Sequence, residues 1–282
     1  MKNNLTKFKQ TYYRVVRPTK RLISRTLFSS MFRSLVTEKK FWVVAFHRVD
    51  DLESPDPLTC GITEFEKYCE FLSRHFQIVP LAEQLTSIDN PKVGGTLSIT
   101  FDDGYRDNHD QAAPILDRLG LPATFFVTTG FIGTDQLTWW DRPLPKKPEW
   151  MTWDHVRSLH SRGYDIGCHT VTHADFGTIS VEQAKREIIE SLNHLESELK
   201  SQVNLFAYPY GGVQNMTAEN LKFIRSSALC CSLSCYGGVN QIGADPFKLN
   251  RIPINSARGE SVTDLGYHLI RNLRSGNRSV TH

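Results

Sequence analysis

Two adjacent carboxylates, Asp102 and Asp103, close the stretch LSITFDDG, and two histidines, His169 and His173, close YDIGCHTVTH. Imidazole nitrogens together with one carboxylate oxygen make a three-donor set for zinc that leaves a position open to water. A pair of neighbouring acids could divide the work, one binding the cation while the other stays free as a base. A cation also offsets the repulsion between two close carboxylates. The histidine pair follows a strand-like run and a glycine, unlike the mid-helix H-E-x-x-H of metalloproteases. Taken singly, each feature has a plainer alternative: one acid caps a helix, and the histidines lie on the surface.

Elements must carry these residues to one place. Leu97, Ile99 and Phe101 alternate with Ser98 and Thr100, the period-two pattern of a half-buried strand that ends at the two acids. FWVVAFHRV (41–49) reads as a buried strand, and ITEFEKYCEFLSRHF (62–76) has apolar residues at helical spacing. DQAAPILDRLG (110–120) predicts a helix closed by Gly120, PATFFVTTG (122–130) a strand, and TWDHVRSLHSRG (152–163) a helix stopped by Gly163. The strand 164–170 and the helix 180–200, capped by Ser180, come next. Strand-like 204–211, a helix near 217–226 and strand-like 229–235 continue the alternation. Repeated β-α units imply a mostly parallel sheet, open or closed into a barrel. Active sites in such folds gather at the carboxyl ends of the strands. Residues 131–150, with three Pro and three Trp, interrupt the pattern as a loop-like insertion.

Charge divides the chain in two. Residues 1–40 hold 11 Lys or Arg against the single acid Glu38, whereas 41–282 hold 22 basic and 29 acidic residues. Within 1–40, Leu22, Ile23, Leu27, Phe28, Met31, Phe32, Leu35 and Val36 recur at helical spacing beside Arg21, Arg25 and Arg33. This describes a basic amphipathic arm suited to peripheral contact with an anionic membrane, or else a stripe that packs on the domain 41–282. No nucleic-acid-binding motif accompanies the charge, so nucleic acid is not an expected partner. No apolar run reaches the roughly 18 residues of a membrane span, and the N-terminus lacks a secretory h-region. The expected location is cytoplasmic, at or near the inner face of the cell membrane. Six irregularly spaced cysteines read as free thiols, and Cys230, Cys231 and Cys235 as a buried strand.

TFDDG, HTVTH and YPYG occur in that order, and over roughly residues 41–255 the chain resembles the polysaccharide deacetylases, the family 4 carbohydrate esterases. The resemblance implies a distorted (β/α) barrel and a divalent metal, Zn2+ or else Co2+ or Ni2+. It implies that Asp103, His169 and His173 hold that metal, that Asp102 is the base, and that Tyr210 offers its backbone N–H to the oxyanion. The family's third motif carries an Arg two residues before the Pro, where this chain has Ala207. Arg251 in LNRIPI is the candidate replacement. The late L-x-H motif is absent, and His268 falls in a predicted helix (260–273). His47 instead resembles the histidine of the biofilm poly-N-acetylglucosamine deacetylases, whose strand is permuted to the front, and is the candidate general acid. Trp140 and Trp153 beside the insertion are candidate sugar contacts. The implied activity is metal-dependent removal of N-acetyl groups from amino sugars of a polysaccharide or lipid-linked glycan, in exopolysaccharide or envelope synthesis. O-acetyl ester or non-sugar amide hydrolysis, and glycan binding without turnover, are the alternatives.

Overall fold

The computed structural model describes residues 39–51, 56–90, 94–255 and 261–273; all but the last two residues of the basic arm lie outside them. The first barrel strand, β1 (Lys40–Phe46), is apolar on both faces because both are covered. Phe41 and Val43 meet Phe126, Leu205, Leu233 and Leu249, residues drawn from strands all around the barrel interior. Trp42, Val44 and Phe46 point the other way into the larger core beneath the helices. A second strand, β2 (Arg48–Val49), pairs only with β3 (Thr59–Cys60).

Helix α1 (Ile62–His75) leads to β4 (Gln77–Ile78) and α2 (Leu81–Thr86), and then to β5 (Thr96–Phe101), which lies parallel to β1 with Val44 opposite Ile99. After β5 come α3 (Ala113–Leu119), β6 (Thr124–Val127), α4 (Trp153–Ser161), β7 (Asp165–Cys168), α5 (Val181–Leu199) and α6 (Ala218–Ser226). The chain ends in β8 (Leu233–Gly237), β9 (Asn240–Gln241), β10 (Leu249–Pro253) and α7 (Val262–Asn272). The principal sheet runs β7-β6-β5-β1-β10-β8. Parallel bridges Cys168–Phe206 and Ala207–Leu233 join its two ends, closing a distorted (β/α) barrel. The segment expected as a strand at 204–211 is reduced to that pair of bridges. Pro209 has no N–H to give, and Tyr210 and Gly211 turn the chain with φ of +60° and +58°.

Helix caps match local chemistry. Ser180 Oγ accepts from Gln183 N while Gln183 Oε1 accepts from Ser180 N, a reciprocal capping box at the start of α5. Gly120 ends α3 at φ +63°. The strand expected at 229–235 begins only at Leu233, and the six cysteines are free. No helix among the described residues is long and apolar enough to cross a membrane.

Gly167 in β7 shows how tightly the barrel wall is packed. A β-carbon there would overlap the buried Phe126 ring of the adjacent strand and approach the Leu205 carbonyl at 3.2 Å. Gly167→Ala is therefore expected to destabilise the fold by about 1–3 kcal/mol, the usual cost of overpacking, read as a lower urea midpoint at unchanged slope.

Candidate active site

Strand alternation sends Thr100 and Asp102 to the same side of β5, where both meet Arg251 of β10. The Arg251 guanidinium donates to Asp102 Oδ1 at 2.7 Å and Oδ2 at 2.6 Å, to Thr100 Oγ1 at 3.0 Å, and through Nε to the Ser234 carbonyl. Its carbon lies 5.5 Å from the Phe126 ring centroid. Both partners are buried, with Arg251 0% and Asp102 1% exposed. Burial alone would raise the Asp102 carboxyl, but Arg251 and His169 outweigh it and hold it below its ordinary value.

Alternation alone would point Asp103 away from Asp102. Its φ of +77° breaks the strand geometry and brings its carboxylate to the histidines instead. His169 Nε2 and His173 Nε2 each lie 3.3 Å from Asp103 Oδ1. Neither approach has hydrogen-bonding geometry, so Asp103 Oδ1 is a buried oxygen without a donor. His169 Nδ1 lies 2.8 Å from the Ala207 carbonyl, which accepts its proton and turns Nε2 toward Asp103. One carboxylate oxygen and two imidazole nitrogens thus converge within 4.8 Å of one another, an arrangement that fits a divalent cation. Burial pushes the Asp103 carboxyl up, yet contacts with His169 and His173 outweigh it and place it well below the usual range.

Among the described residues, four of the five non-glycine residues with positive φ are Asp103, Thr170, His173 and Tyr210; the fifth, Lys200, ends a helix. Unfavourable backbone is therefore concentrated where donors must converge.

His47, at the end of β1, is half-buried and held through its carbonyl, which accepts from Asn108 Nδ2 at 2.7 Å. A ring nitrogen of His47 lies within 4.8 Å of Asp102 and Cys235 donor atoms. Burial lowers the His47 imidazole despite the attraction of Asp103 and Asp102, so it rests neutral near neutral pH. A cavity of about 720 Å3 opens over these groups, and His47, Asp102, Asp103, His169, His173 and Tyr210 all line it. Tyr210 is 38% exposed, with its ring 4.8 Å from that of His173. Trp140 also lines the cavity, its ring 4.9 Å from His173.

Trp153 does not line that cavity. It occupies the first turn of α4, after the Thr152 cap, and packs on His194 of α5 at 4.3 Å. This corrects its assignment as a sugar contact. His268 lies on α7, 3.2 Å from the Pro253 carbonyl and not among the cavity residues. Residues that sequence reasoning did not single out are Arg48, Tyr105 and Asp141, which join the insertion to the site from behind. Their polar contacts span 57 and 93 positions of chain and leave no local pattern to read.

The fold is a distorted (β/α) barrel with the candidate site at its strand ends. Residues 89–225 match the family model for polysaccharide deacetylase, and the chain carries a polysaccharide deacetylase domain. Among curated relatives, YxkH of Bacillus subtilis is 24% identical over 225 residues, covering 78% of this chain and 74% of that protein. The poly-beta-1,6-N-acetyl-D-glucosamine N-deacetylase of Escherichia coli K12 is 21% identical over 217 residues, 64% of this chain but only 32% of that enzyme. The solved Streptococcus pyogenes deacetylase PplD, in complex with acetate, superposes with a TM-score of 0.68 at 18% identity, covering 84% of this chain and 99% of that one.

Removing Arg251 strands a buried carboxylate. Arg251→Gln should cost about 3–5 kcal/mol of stability at neutral pH, measured by chemical denaturation. Asp102 has a lower folded than unfolded pKa, so its contribution is complete above the unfolded value near 4 and is lost as pH falls through the folded value. The deficit of the variant should therefore narrow in acid.

Proposed function

We propose that this protein is a metal-dependent hydrolase that removes acetyl groups from N-acetylated amino sugars of a polysaccharide or lipid-linked glycan. The observation that carries the proposal is the separation of roles between neighbouring acids: Asp102 is clamped by Arg251, while Asp103 Oδ1 has no donor and faces two histidines. Asp103, His169 and His173 would hold the ion, and a set of two nitrogens and one oxygen suits zinc. The ion would supply Lewis acidity, making a water far easier to deprotonate near neutral pH.

The chain's own groups account for the remaining steps. Asp102, kept ionised and oriented by Arg251, accepts the proton of the attacking water. The Tyr210 N–H donates to the oxygen of the acetamide carbonyl as negative charge develops there. The neighbouring N–H groups of Tyr208 and Gly211 are already committed to the Leu233 and Pro209 carbonyls. Loss of one such donor typically costs on the order of 3 kcal/mol of barrier. His47, neutral at rest, becomes competent as an acid once it takes up a proton, and it then protonates the departing sugar nitrogen. An amide nitrogen leaves poorly without that proton. Ala207 fits this scheme because Arg251 reaches the same carboxylate from β10, and the Ala207 carbonyl orients His169.

The substrate reading rests on the E. coli relative, which is named for N-deacetylation of a poly-N-acetylglucosamine, and on the resemblance of His47 to the permuted histidine. A basic arm at 1–40 would suit work at the inner face of the cell membrane, in exopolysaccharide or envelope synthesis.

Acetate release from N-acetylated oligosaccharides and O-acetylated glycans, before and after chelation, tests the proposal. Release from N-acetyl substrates should stop on chelation and return with zinc. His47→Gln should lower kcat on the amides by about 100-fold or more, in line with loss of a general acid. Release only from O-acetyl esters, or release that survives chelation, would overturn it.

A further inference from the structure

The insertion that carries Trp140 is anchored by a buried polar network that the chemistry above does not use. Arg48 follows His47 directly, and strand alternation turns it away from the cleft into the protein. It is 2% exposed and bonds two separate segments: Thr59 Oγ1 at 2.9 Å and the Asp56 carboxylate at β3, and Asp141 in the insertion. Asp141 is 0% exposed and also accepts from Thr138 Oγ1 at 2.6 Å.

The Tyr105 hydroxyl is the hub. It donates to Asp141 Oδ2 at 2.9 Å and accepts from Arg48 at 3.2 Å and from Trp140 Nε1 at 2.8 Å. Its ring stacks on Trp150 at the far end of the same insertion, with centroids 4.5 Å apart. Tyr105 comes two residues after Asp103, so one turn carries both the cation-facing acid and the hub.

A buried ion pair contributes little net stability compared with apolar packing, but it does fix geometry, because each partner tolerates few arrangements. What this one fixes is Trp140. The indole is held at its nitrogen by Tyr105, and its ring lies against His173, with Tyr210 at 6.3 Å.

We propose that Arg48, Tyr105 and Asp141 are positioning residues that lock Trp140 as a fixed wall of the substrate cleft beside His173. On this account the 131–150 insertion is a rigid part of the site and does not close over substrate. The role in substrate binding rests on the deacetylase reading; the positioning of Trp140 does not.

Tyr105→Phe removes the hub hydroxyl while keeping the ring and the Arg48–Asp141 pair, so it is the variant of choice. Trp140→Phe removes the indole N–H and also assigns the signal. The full chain has five tryptophans, and 5-fluorotryptophan labelling gives each its own fluorine resonance. In metal-free wild type the Trp140 resonance should be single and sharp. In Tyr105→Phe it should shift or broaden, while that of buried Trp42 stays put. With an N-acetylated oligosaccharide, KM should rise about tenfold, the scale of a lost buried hydrogen bond, with kcat changed much less. The Tyr105→Phe and Trp140→Phe effects on KM should be non-additive, because the first acts through the second.

A Trp140 resonance unmoved by Tyr105→Phe overturns the positioning role whatever the activity. A displaced resonance with unchanged KM, or fully additive effects, overturns the role in substrate binding. If wild type releases no acetate from any glycan, the deacetylase reading fails, and the fluorine spectrum still decides the positioning.

Discussion

The site depends on one buried ion pair, Arg251 with Asp102. Two carboxylates side by side at a barrel mouth repel each other and resist desolvation, and neither would stay ionised there without compensation. Arg251 compensates one of them from inside the barrel, meeting both oxygens of Asp102 and placing its remaining donors on Thr100 and Ser234. That leaves Asp103 as the acid whose charge is not matched by a fixed cation, with two imidazoles as its nearest polar neighbours. Neighbours in sequence thereby acquire different chemistry: one carboxylate is held in place as an oriented anion, and the other is left with an open coordination direction.

The backbone makes this division possible. A regular strand would put Asp102 and Asp103 on opposite faces, and the left-handed conformation at Asp103 overrides that rule. The same device recurs at Thr170, His173 and Tyr210, which line the same cavity or adjoin its histidines. Such conformations persist only where surrounding contacts over-determine them. Here those contacts are the Thr170 hydroxyl accepting from His173 N, the Ala207 carbonyl on His169, and the hub at Tyr105 that holds the insertion.

Much of this was legible in the sequence, for local reasons. Period-two alternation before Asp102, the capping Ser180 and the glycine stop at 120 correspond to β5, α5 and α3 with only small shifts at their ends, although β5 is buried on both faces and not half-buried as its alternation implied. Motif order brought Asp102, Asp103, His169, His173 and Tyr210 together, and the structure sets them around one cavity. Arg251 could be named from its type, but its reach to Asp102 spans 149 positions and is visible only once the barrel closes. Closure followed from the family resemblance and not from the strand pattern, since one stave amounts to Phe206 and Ala207. Trp153 misled because proximity in sequence to an aromatic-rich insertion does not say which helix face a ring takes; the Thr152 cap turns it toward α5. The Arg48–Tyr105–Asp141 network was missed because buried polar contacts between distant segments leave no periodicity to read.

The division of labour between the two acids is tested most directly by calorimetric titration of zinc into chelator-stripped wild type, Asp102→Asn and Asp103→Asn. A single ion should bind wild type, bind Asp102→Asn with similar affinity, and bind Asp103→Asn more weakly by about a hundredfold or more, as expected for loss of a direct ligand. Equal weakening in both variants, or no binding to wild type, would contradict the account.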